Sequence, residues 1–150
     1  MKKELQVAAL ENGTVIDHIP PQHLFAVVSI LGLSKVKNSI TIGFNLASSK
    51  LGTKGIIKIS DRFFEKDEID KVALVAPNVI LSVIRNYEVC EKICVELPSE
   101  LMDIAKCPNP KCITNNESVS TRFKVVNKVD KMVKCRYCER VFEADNLIIR

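Results

Sequence analysis

The sequence is poor in several residue types that often build active sites, with no tryptophan, two histidines and five glycines among 150 residues. It contains no glycine-rich phosphate loop, no nucleophile-elbow motif and no paired catalytic carboxylates. Its longest apolar runs, such as VALVAP and NVILSVI, are far shorter than the roughly 18 residues that a membrane-spanning helix needs. The first residues, MKKELQVAALENG, lack the apolar segment of a signal peptide. We therefore expect neither a membrane protein nor a self-contained enzyme, and we place the chain in the cytoplasm.

Cysteine is the exception, because the chain has six. Thiols stay reduced in the cytoplasm, so six of them favour metal binding over disulfides. Cys107-x4-Cys112 and Cys135-x2-Cys138 are two close pairs with 22 residues between them, a spacing that presents four sulfurs to one Zn²⁺. A catalytic zinc usually keeps an open position beside His or carboxylate ligands, and residues 101–150 contain no histidine. The pattern predicts a closed, structural zinc site.

The two remaining cysteines, Cys90 and Cys94, form a looser C-x3-C pair. No further pair is left to complete a second metal site with them. We interpret both as small hydrophobic residues in a strand or at its edge.

The formal charge of +4 is concentrated in the last third of the chain. Residues 1–100 contain 12 basic and 12 acidic side chains, whereas residues 101–150 contain 10 and 6. A zinc-ribbon nucleic-acid-binding protein is therefore the alternative function. However, stacking aromatics are scarce there, and four zinc-bound thiolates would cancel part of the excess. The cations beside the cysteines are Lys106, Lys111, Lys134, Arg136 and Arg140. We interpret them as offsetting the thiolate charge, and we expect no nucleic-acid partner.

The first hundred residues alternate strand-like and helix-like patterns. In chain order the predicted elements are strands in LQVAAL and GTVIDHI around the turn ENG, a helix in PPQHLFAVVSILGL, strands in SITIGFNLA and GIIKIS, a helix in SDRFFEKDEIDKVALVAP and a strand in NVILSVIRNYEV. The β-α-β-β-α-β order predicts a ferredoxin-like α+β domain over residues 1–100, with two helices on one face of an antiparallel sheet. The other face stays free for a ligand or a second subunit.

The last fifty residues contain only short β stretches around the cysteines, in VSTRFKVVN, KMVKCRY and RVFEADNLIIR. A segment of this length is too small for a self-sufficient hydrophobic core, so a structural metal is what it needs. We predict a small, mainly β zinc-binding domain over residues 101–150.

Four polar features of the first half suggest a ligand site, namely Asp17 with His18, Lys54 with Lys58, Tyr87, and Lys92. Asp17 and His18 are adjacent, and neighbours on a regular strand point to opposite faces, so we do not expect them to act as a relay. Lys54 and Lys58 are four apart, which places two ammonium groups on one face of a strand and Ile57 on the other. Asp17 would repel phosphates and is better suited to ribose hydroxyls. The residues alone leave two interpretations open, a nucleotide site and a solvated sheet face.

Several motifs together resemble the family of aspartate carbamoyltransferase regulatory chains over nearly the full length. They are LQVAALENGTVIDHIP, ITIGFNL, GTKGIIKI, LVAPN, NYEV, CPNPKC and CRYC. The resemblance implies a ferredoxin-like allosteric domain that binds CTP or ATP, with UTP also implicated, and a zinc domain that docks on a catalytic chain. It further implies regulatory-chain homodimers without catalytic activity of their own, acting in pyrimidine synthesis.

By matching positions, the resemblance also implies a nucleotide site on this chain. Its members are Ala9, Leu10, Val15, Asp17, His18, Lys54, Lys58, Ser82, Ile84, Tyr87, Val89 and Lys92, with base and backbone contacts extending over Val7 to Leu10. In such a site Lys92 and His18 serve the phosphates. Two positions depart from the family pattern, because Ser82 replaces an asparagine that faces the phosphates and Cys94 replaces a basic residue. We expect these departures to weaken triphosphate binding.

The same resemblance assigns the nucleoside end of the ligand. Asp17 and Lys58 would contact the ribose or base, and main-chain groups near Leu10 and Tyr87 would read the base edge.

Overall fold

The computed structural model describes residues 9–149. The predicted strand in LQVAAL lies outside the described residues except for Ala9 and Leu10, and these two are not part of a strand. Within residues 9–149, no helix is both long and apolar enough to cross a membrane. The architecture is α+β, as the sequence predicts.

The first unit is a five-stranded antiparallel sheet with two helices. Its elements are β1 (Gly13–Ile19), α1 (Leu24–Ile30), β2 (Ile40–Ser48), β3 (Gly52–Ser60), α2 (Lys66–Val75), β4 (Ile80–Arg85) and β5 (Glu88–Cys94). The strand order across the sheet is β2-β3-β1-β4-β5. The first four strands and two helices form the predicted ferredoxin-like β-α-β-β-α-β unit, and β5 adds an edge strand.

The prediction of one strand over NVILSVIRNYEV is wrong, because this segment is a hairpin. Asn86 and Tyr87 both adopt left-handed backbone angles, with φ of 53° and 67°. Two such residues in succession make the tight turn whose twist suits a two-residue hairpin. The turn is followed by β5, which contains Cys90 and Lys92.

Both helices form where the pattern predicts them, and α2 matches it most closely. Asp67 and Glu68 lie in the first turn of α2, and the backbone N–H of Glu65 donates to Glu68 Oε1 at 3.3 Å. The helix ends before Pro77, which cannot continue it. The first predicted helix is divided, because a short 3₁₀ turn precedes α1 and another follows the left-handed Gly32.

The helices cover one face of the sheet and form the core with it. The buried side chains of this core include Ile16, Ile19, Leu24, Val27, Ile57, Ile59, Val72, Leu74 and Leu81. At Gly55 an added Cβ would lie 2.9 Å from Leu24 Cδ1, so glycine lets the start of α1 pack directly on β3. Ile57 and Ile59 are fully buried here, which agrees with the predicted orientation of β3.

The second unit is mainly β and packs on the same core. Its elements are β6 (Glu100–Met102), β7 (Ala105–Lys106), α3 (Ile113–Asn116), β8 (Arg122–Asn127), β9 (Met132–Cys135), β10 (Val141–Glu143) and β11 (Ile148–Ile149). Four strands form a sheet in the order β10-β9-β8-β6, and β11 pairs with β7. Leu101, Phe123 and Val133 are buried and continuous with the core of the first unit.

Candidate metal centre and polar sheet face

The four cysteines of the two C-terminal motifs converge in the second unit. Their sulfurs all lie within 4.8 Å of one another. Cys107 Sγ is 3.8 Å from Cys138 Sγ, and Cys112 Sγ is 3.8 Å from Cys135 Sγ. Four sulfurs placed tetrahedrally about 2.3 Å from a zinc ion would be separated by about 3.8 Å. The arrangement therefore fits a single tetrahedral ion, and each short S···S contact joins one sequence motif to the other.

Side chains around the cysteines fix the loops that present the sulfurs. The Thr114 hydroxyl donates to Cys112 Sγ at 3.2 Å. The Asn115 side-chain amide donates to the carbonyls of Cys107 at 2.9 Å and Asn109 at 2.7 Å. Such outer contacts orient metal ligands before the metal arrives. Thr114 and Asn115 were not predicted, although both are polar residues within three positions of a cysteine.

The thiols are held in an environment that resists simultaneous ionisation. Burial raises the pKa of the Cys107 and Cys135 thiols above their ordinary value. At Cys112 burial also opposes ionisation, but hydrogen bonds from the side chain and backbone of Thr114 lower the pKa to about 7. Four thiolates in such a site need a cation among them. Three of the four cysteines are buried, so the cluster has the character of a closed site.

The second candidate site is the face of the first sheet that lies opposite the helices, here called the polar sheet face. The strand register places side chains from five strands in one row across it. From β2 to β5 the directly paired residues are Thr41, Lys58, Val15, Ser82 and Lys92. Directly opposite residues of antiparallel strands share a face. With strands about 4.8 Å apart, Lys58 and Lys92 are separated by three strand steps, or about 14 Å.

A bulge in β1 changes the positions of Asp17 and His18. Ile16 pairs with Ile57 and Ile19 pairs with Gly55, so two residues of β1 lie opposite one residue of β3. His18 adopts a left-handed φ of 61°, and its backbone N–H donates to Asp17 Oδ1 at 2.6 Å.

The prediction that these neighbours point apart is therefore wrong. His18 Nδ1 lies 3.7 Å from Asp17 Oδ2. It is buried without a hydrogen-bond partner among the described residues. The spacing of three between the apolar residues Ile16 and Ile19 was the available signal, because a regular strand would place them on opposite faces.

Asp17 is the centre of the charged part of this face. Lys54 Nζ approaches Asp17 Oδ1 at 2.9 Å. Burial lowers the pKa of Lys58 below its ordinary value, and the nearby Asp17 carboxylate opposes that shift. The predicted sharing of one face by Lys54 and Lys58 agrees with this geometry. Ile56 lies between them in sequence and is buried on the same face, which gives the site an apolar floor that the sequence analysis did not identify.

The predicted base-reading residues lie beside one end of β1. The backbone N–H of Tyr87 donates to the Glu11 carbonyl at 2.9 Å, and that of Asn86 donates to Asn12 Oδ1 at 3.2 Å. The hairpin turn is thereby tied to the segment that follows Leu10. The Tyr87 side chain is exposed to 65%. The structure thus brings the turn and the segment near Leu10 together, with Ala9 exposed next to it.

The remaining predicted contacts follow the alternation of β4 and β5. Ile84 lies two residues after Ser82 and pairs with Val89 across the strands. Lys92 and both cysteines of β5, Cys90 and Cys94, are exposed at the edge of the sheet. The interpretation of the two cysteines as edge-strand residues agrees with this placement, although neither is buried as a hydrophobic residue would be. The strand register therefore places Lys58, Val15, Ser82, Ile84 and Lys92 on one face of the sheet.

Fold and sites together define a chain of two units. The first unit has an open sheet face, and the second has a four-cysteine site of the kind that binds a metal ion. Comparison with known proteins is specific for both parts. Residues 5–96 match the model of the aspartate carbamoyltransferase regulatory chain, allosteric domain, and residues 99–148 match that of its metal binding domain.

Close relatives cover almost the whole chain. The aspartate carbamoyltransferase regulatory chain of Parabacteroides distasonis is 60% identical over 149 residues, covering 99% of this chain and 97% of its own. That of Bacteroides fragilis is 57% identical over 148 residues, with the same coverage of both chains. The archaeal chain of Pyrococcus horikoshii is still 47% identical over 147 residues, covering 97% of each chain. The chain belongs to the family of aspartate carbamoyltransferase regulatory chains.

Proposed function

We propose that this chain is a noncatalytic regulatory subunit that binds CTP and ATP, and also UTP, on the polar sheet face and alters the activity of a separate catalytic chain. The observation that carries the proposal is the row formed by Lys58, Val15, Ser82 and Lys92, with Asp17 beside it. A lysine at the edge of the sheet suits the phosphates of a nucleotide, and a carboxylate beside a second lysine suits the hydroxyl groups of its ribose. The surroundings would be the cytoplasm, and the pathway pyrimidine synthesis.

The nucleotide would occupy the face from the hairpin turn to the bulge. Main-chain groups near Leu10 and Tyr87 would contact the base, Asp17 and Lys58 the ribose or base, and Lys92 the phosphates. His18 would also face the phosphates, because its buried Nδ1 has no hydrogen-bond partner among the described residues and lies 3.7 Å from Asp17 Oδ2. A buried polar atom without a partner is costly, so a ligand that satisfies it would gain affinity.

We propose zinc as the resident metal, bound by Cys107, Cys112, Cys135 and Cys138. The thiolate set and tetrahedral spacing suit Zn²⁺, which would supply charge and cross-linking rather than catalysis. The unit that it stabilises, bounded near Glu100, would dock on the catalytic chain. Elemental analysis of chain purified without added metal would test this assignment, with one zinc per chain expected and iron as the contradicting result.

The edge strand β2 supports a second contact, between two regulatory chains. Phe25, Ile42, Phe44 and Leu51 are all exposed, and the rings of Phe25 and Phe44 lie 5.6 Å apart. An exposed apolar group beside an unpaired strand edge is suited to pairing with a second copy. We infer a homodimer through β2, which sedimentation of the wild type and a Phe44→Lys variant would test.

The decisive experiment combines binding and kinetics. Calorimetry on the zinc-loaded chain should detect CTP and ATP, and Lys58→Met should weaken both at least tenfold, about 1.4 kcal/mol. The control is Lys50→Met, because Lys50 is exposed in the turn between β2 and β3. Aspartate saturation of the complex with the catalytic chain should shift when nucleotide is added. Absence of nucleotide binding, or equal loss in both variants, would contradict the proposal.

A further inference from the structure

The C-terminal end of α2 is bound by a side chain from the other unit. In α2, all of which lies in the described part of the chain, no basic residue occupies the last turn. The carbonyl groups of a last turn have no partners within the helix and carry partial negative charge. Lys131 Nζ donates to the Leu74 carbonyl at 3.2 Å, although the two residues are 57 positions apart. A cation from the second unit therefore supplies the C-terminal interaction that α2 lacks.

Lys131 is itself held firmly within the second unit. Its ammonium group forms an ion pair with Asp145 Oδ1 at 2.9 Å, and the Lys131 side chain is only 19% exposed. The Lys131 carbonyl accepts a hydrogen bond from the Ala144 N–H at 2.7 Å. Asn127 and Asp130 close the preceding turn through hydrogen bonds of 3.0 and 3.1 Å. The loop thus presents one ammonium group in a fixed direction.

On one side of this contact, the residues of the two units that face each other are mainly apolar. Leu74 and Val75 of α2 face Ala144 and Leu147 across a groove of about 310 Å³. Apolar contact is non-directional, so it holds two surfaces together without setting their relative orientation. A charged hydrogen bond does set an orientation, because it depends on distance and angle.

The other end of α2 is connected to the strand that carries Asp17. The Thr14 hydroxyl of β1 donates to the Arg62 carbonyl at 2.6 Å. Arg62 in turn pairs with Glu68 in the first turn of α2 at 2.9 Å. The helix is therefore attached to β1 at its start and to Lys131 at its end.

We propose that Lys131 is a positioning residue that couples the two units, so that a ligand-driven shift of β1 and α2 is passed to the metal-binding unit through the Leu74–Lys131–Asp145 contact. This proposal rests on the proposed function, because it assumes a ligand on the polar sheet face. The hydrogen bonds and the ion pair of the Lys131 side chain join it to Leu74 and Asp145, which are neither predicted ligand residues nor cysteines. Its loss should therefore change the communication between the sites and leave each site intact.

The test uses the complex of the regulatory and catalytic chains carrying Lys131→Met. The readout is the ratio of half-saturating aspartate concentrations with and without saturating CTP or ATP. Coupled sites typically change each other's affinity on the order of fivefold or more, and we expect the variant to lose about half of that effect or more on a logarithmic scale. Lys131→Arg should retain the effect. Lys128→Met is the matched control, because Lys128 is exposed in the same loop.

Two further measurements decide what a change means. Nucleotide affinity, zinc content and assembly of Lys131→Met should stay within about twofold of wild type, since these depend on other residues. Amide hydrogen exchange of the full regulatory chain should increase at the end of α2 and near Ala144, without any nucleotide present. An unchanged aspartate ratio in Lys131→Met would overturn the proposal, as would loss of zinc or nucleotide binding.

If the wild-type complex does not respond to nucleotides, the proposed function fails. The hydrogen-exchange comparison of wild type and Lys131→Met then still tests the contact itself. Unchanged exchange would show that Lys131 does not stabilise the contact between the end of α2 and the second unit. The two failures are therefore distinguishable.

Discussion

The four-cysteine cluster and the polar sheet face are built in opposite ways. The cluster takes its four sulfurs from two short motifs, buries three of the cysteines and has the spacing to hold one ion. The sheet face collects its residues from separate strands, remains open and depends on register and on one bulge. One site is specified by local spacing and the other by topology. We therefore expect metal loss to act on folding and sheet-face substitutions to act on binding.

Metal removal should give the largest effect and the sharpest separation of the two sites. Metal binding contributes on the order of 10 kcal/mol to folding a domain of this kind. Prolonged treatment with a strong chelator, which leaves the exposed thiols of Cys90 and Cys94 unmodified, should therefore unfold the second unit and release the catalytic chain, while the first unit still binds nucleotide. Circular dichroism, gel filtration and calorimetry on the same sample would measure this. Loss of nucleotide binding before release of the catalytic chain would contradict the view that the metal stabilises only the second unit.

Thr114→Val should weaken the metal site from outside its ligands. The hydroxyl lowers the pKa of Cys112, so its removal should raise that pKa and let protons displace the metal at a higher pH. Outer contacts of this kind are worth roughly 10- to 100-fold in metal affinity. Competition with a chromogenic chelator between about pH 5 and 8 would measure the shift. Thr114→Ser keeps the hydroxyl and should behave like wild type.

His18→Ala should act on the other region, with a smaller effect. Removing one hydrogen bond to a charged ligand costs about 1.5 kcal/mol, or roughly tenfold in affinity. Thermal unfolding should change little, because the His18 side chain is not part of the core. His23→Ala is the control, since His23 lies in the 3₁₀ turn before α1. Equal effects in calorimetry would show that His18 does not face the ligand.

Ser82→Asn should give the smallest effect, and in the opposite direction. Ser82 lies directly between Val15 and Lys92 in the row across the sheet. An amide there would reach further toward a phosphate and add one hydrogen bond, so affinity should rise about threefold, or about 0.6 kcal/mol. Ser49→Asn, in the exposed turn after β2, should have no effect. Weaker binding by Ser82→Asn would show that the phosphates do not lie beside Ser82 and Lys92.

The contrast between local spacing and strand topology also explains which features could be predicted from the sequence. The end of α2 before Pro77 and the convergence of the four cysteines follow from short sequence patterns, and both were predicted. The start of α2 was not, because the predicted helix begins at Ser60 whereas α2 begins at Lys66. The hairpin at Asn86 and Tyr87 was missed, because the turn contains no glycine to mark two left-handed residues. The contact of Asp17 with His18 was missed because GTVIDHI was taken as a regular strand, although the spacing of Ile16 and Ile19 signals the bulge that the pairing with β3 shows.

Because of the bulge in β1, the ligand site could be lost in evolution without loss of the fold. Ile16 and Ile19 both reach the core only because Asp17 and His18 together occupy the place of one residue. Deletion of one codon at this point would restore the alternation of a plain strand and keep both isoleucines buried. A lineage could thus lose its ligand response in a single mutational step while its chain still folds and still binds its metal.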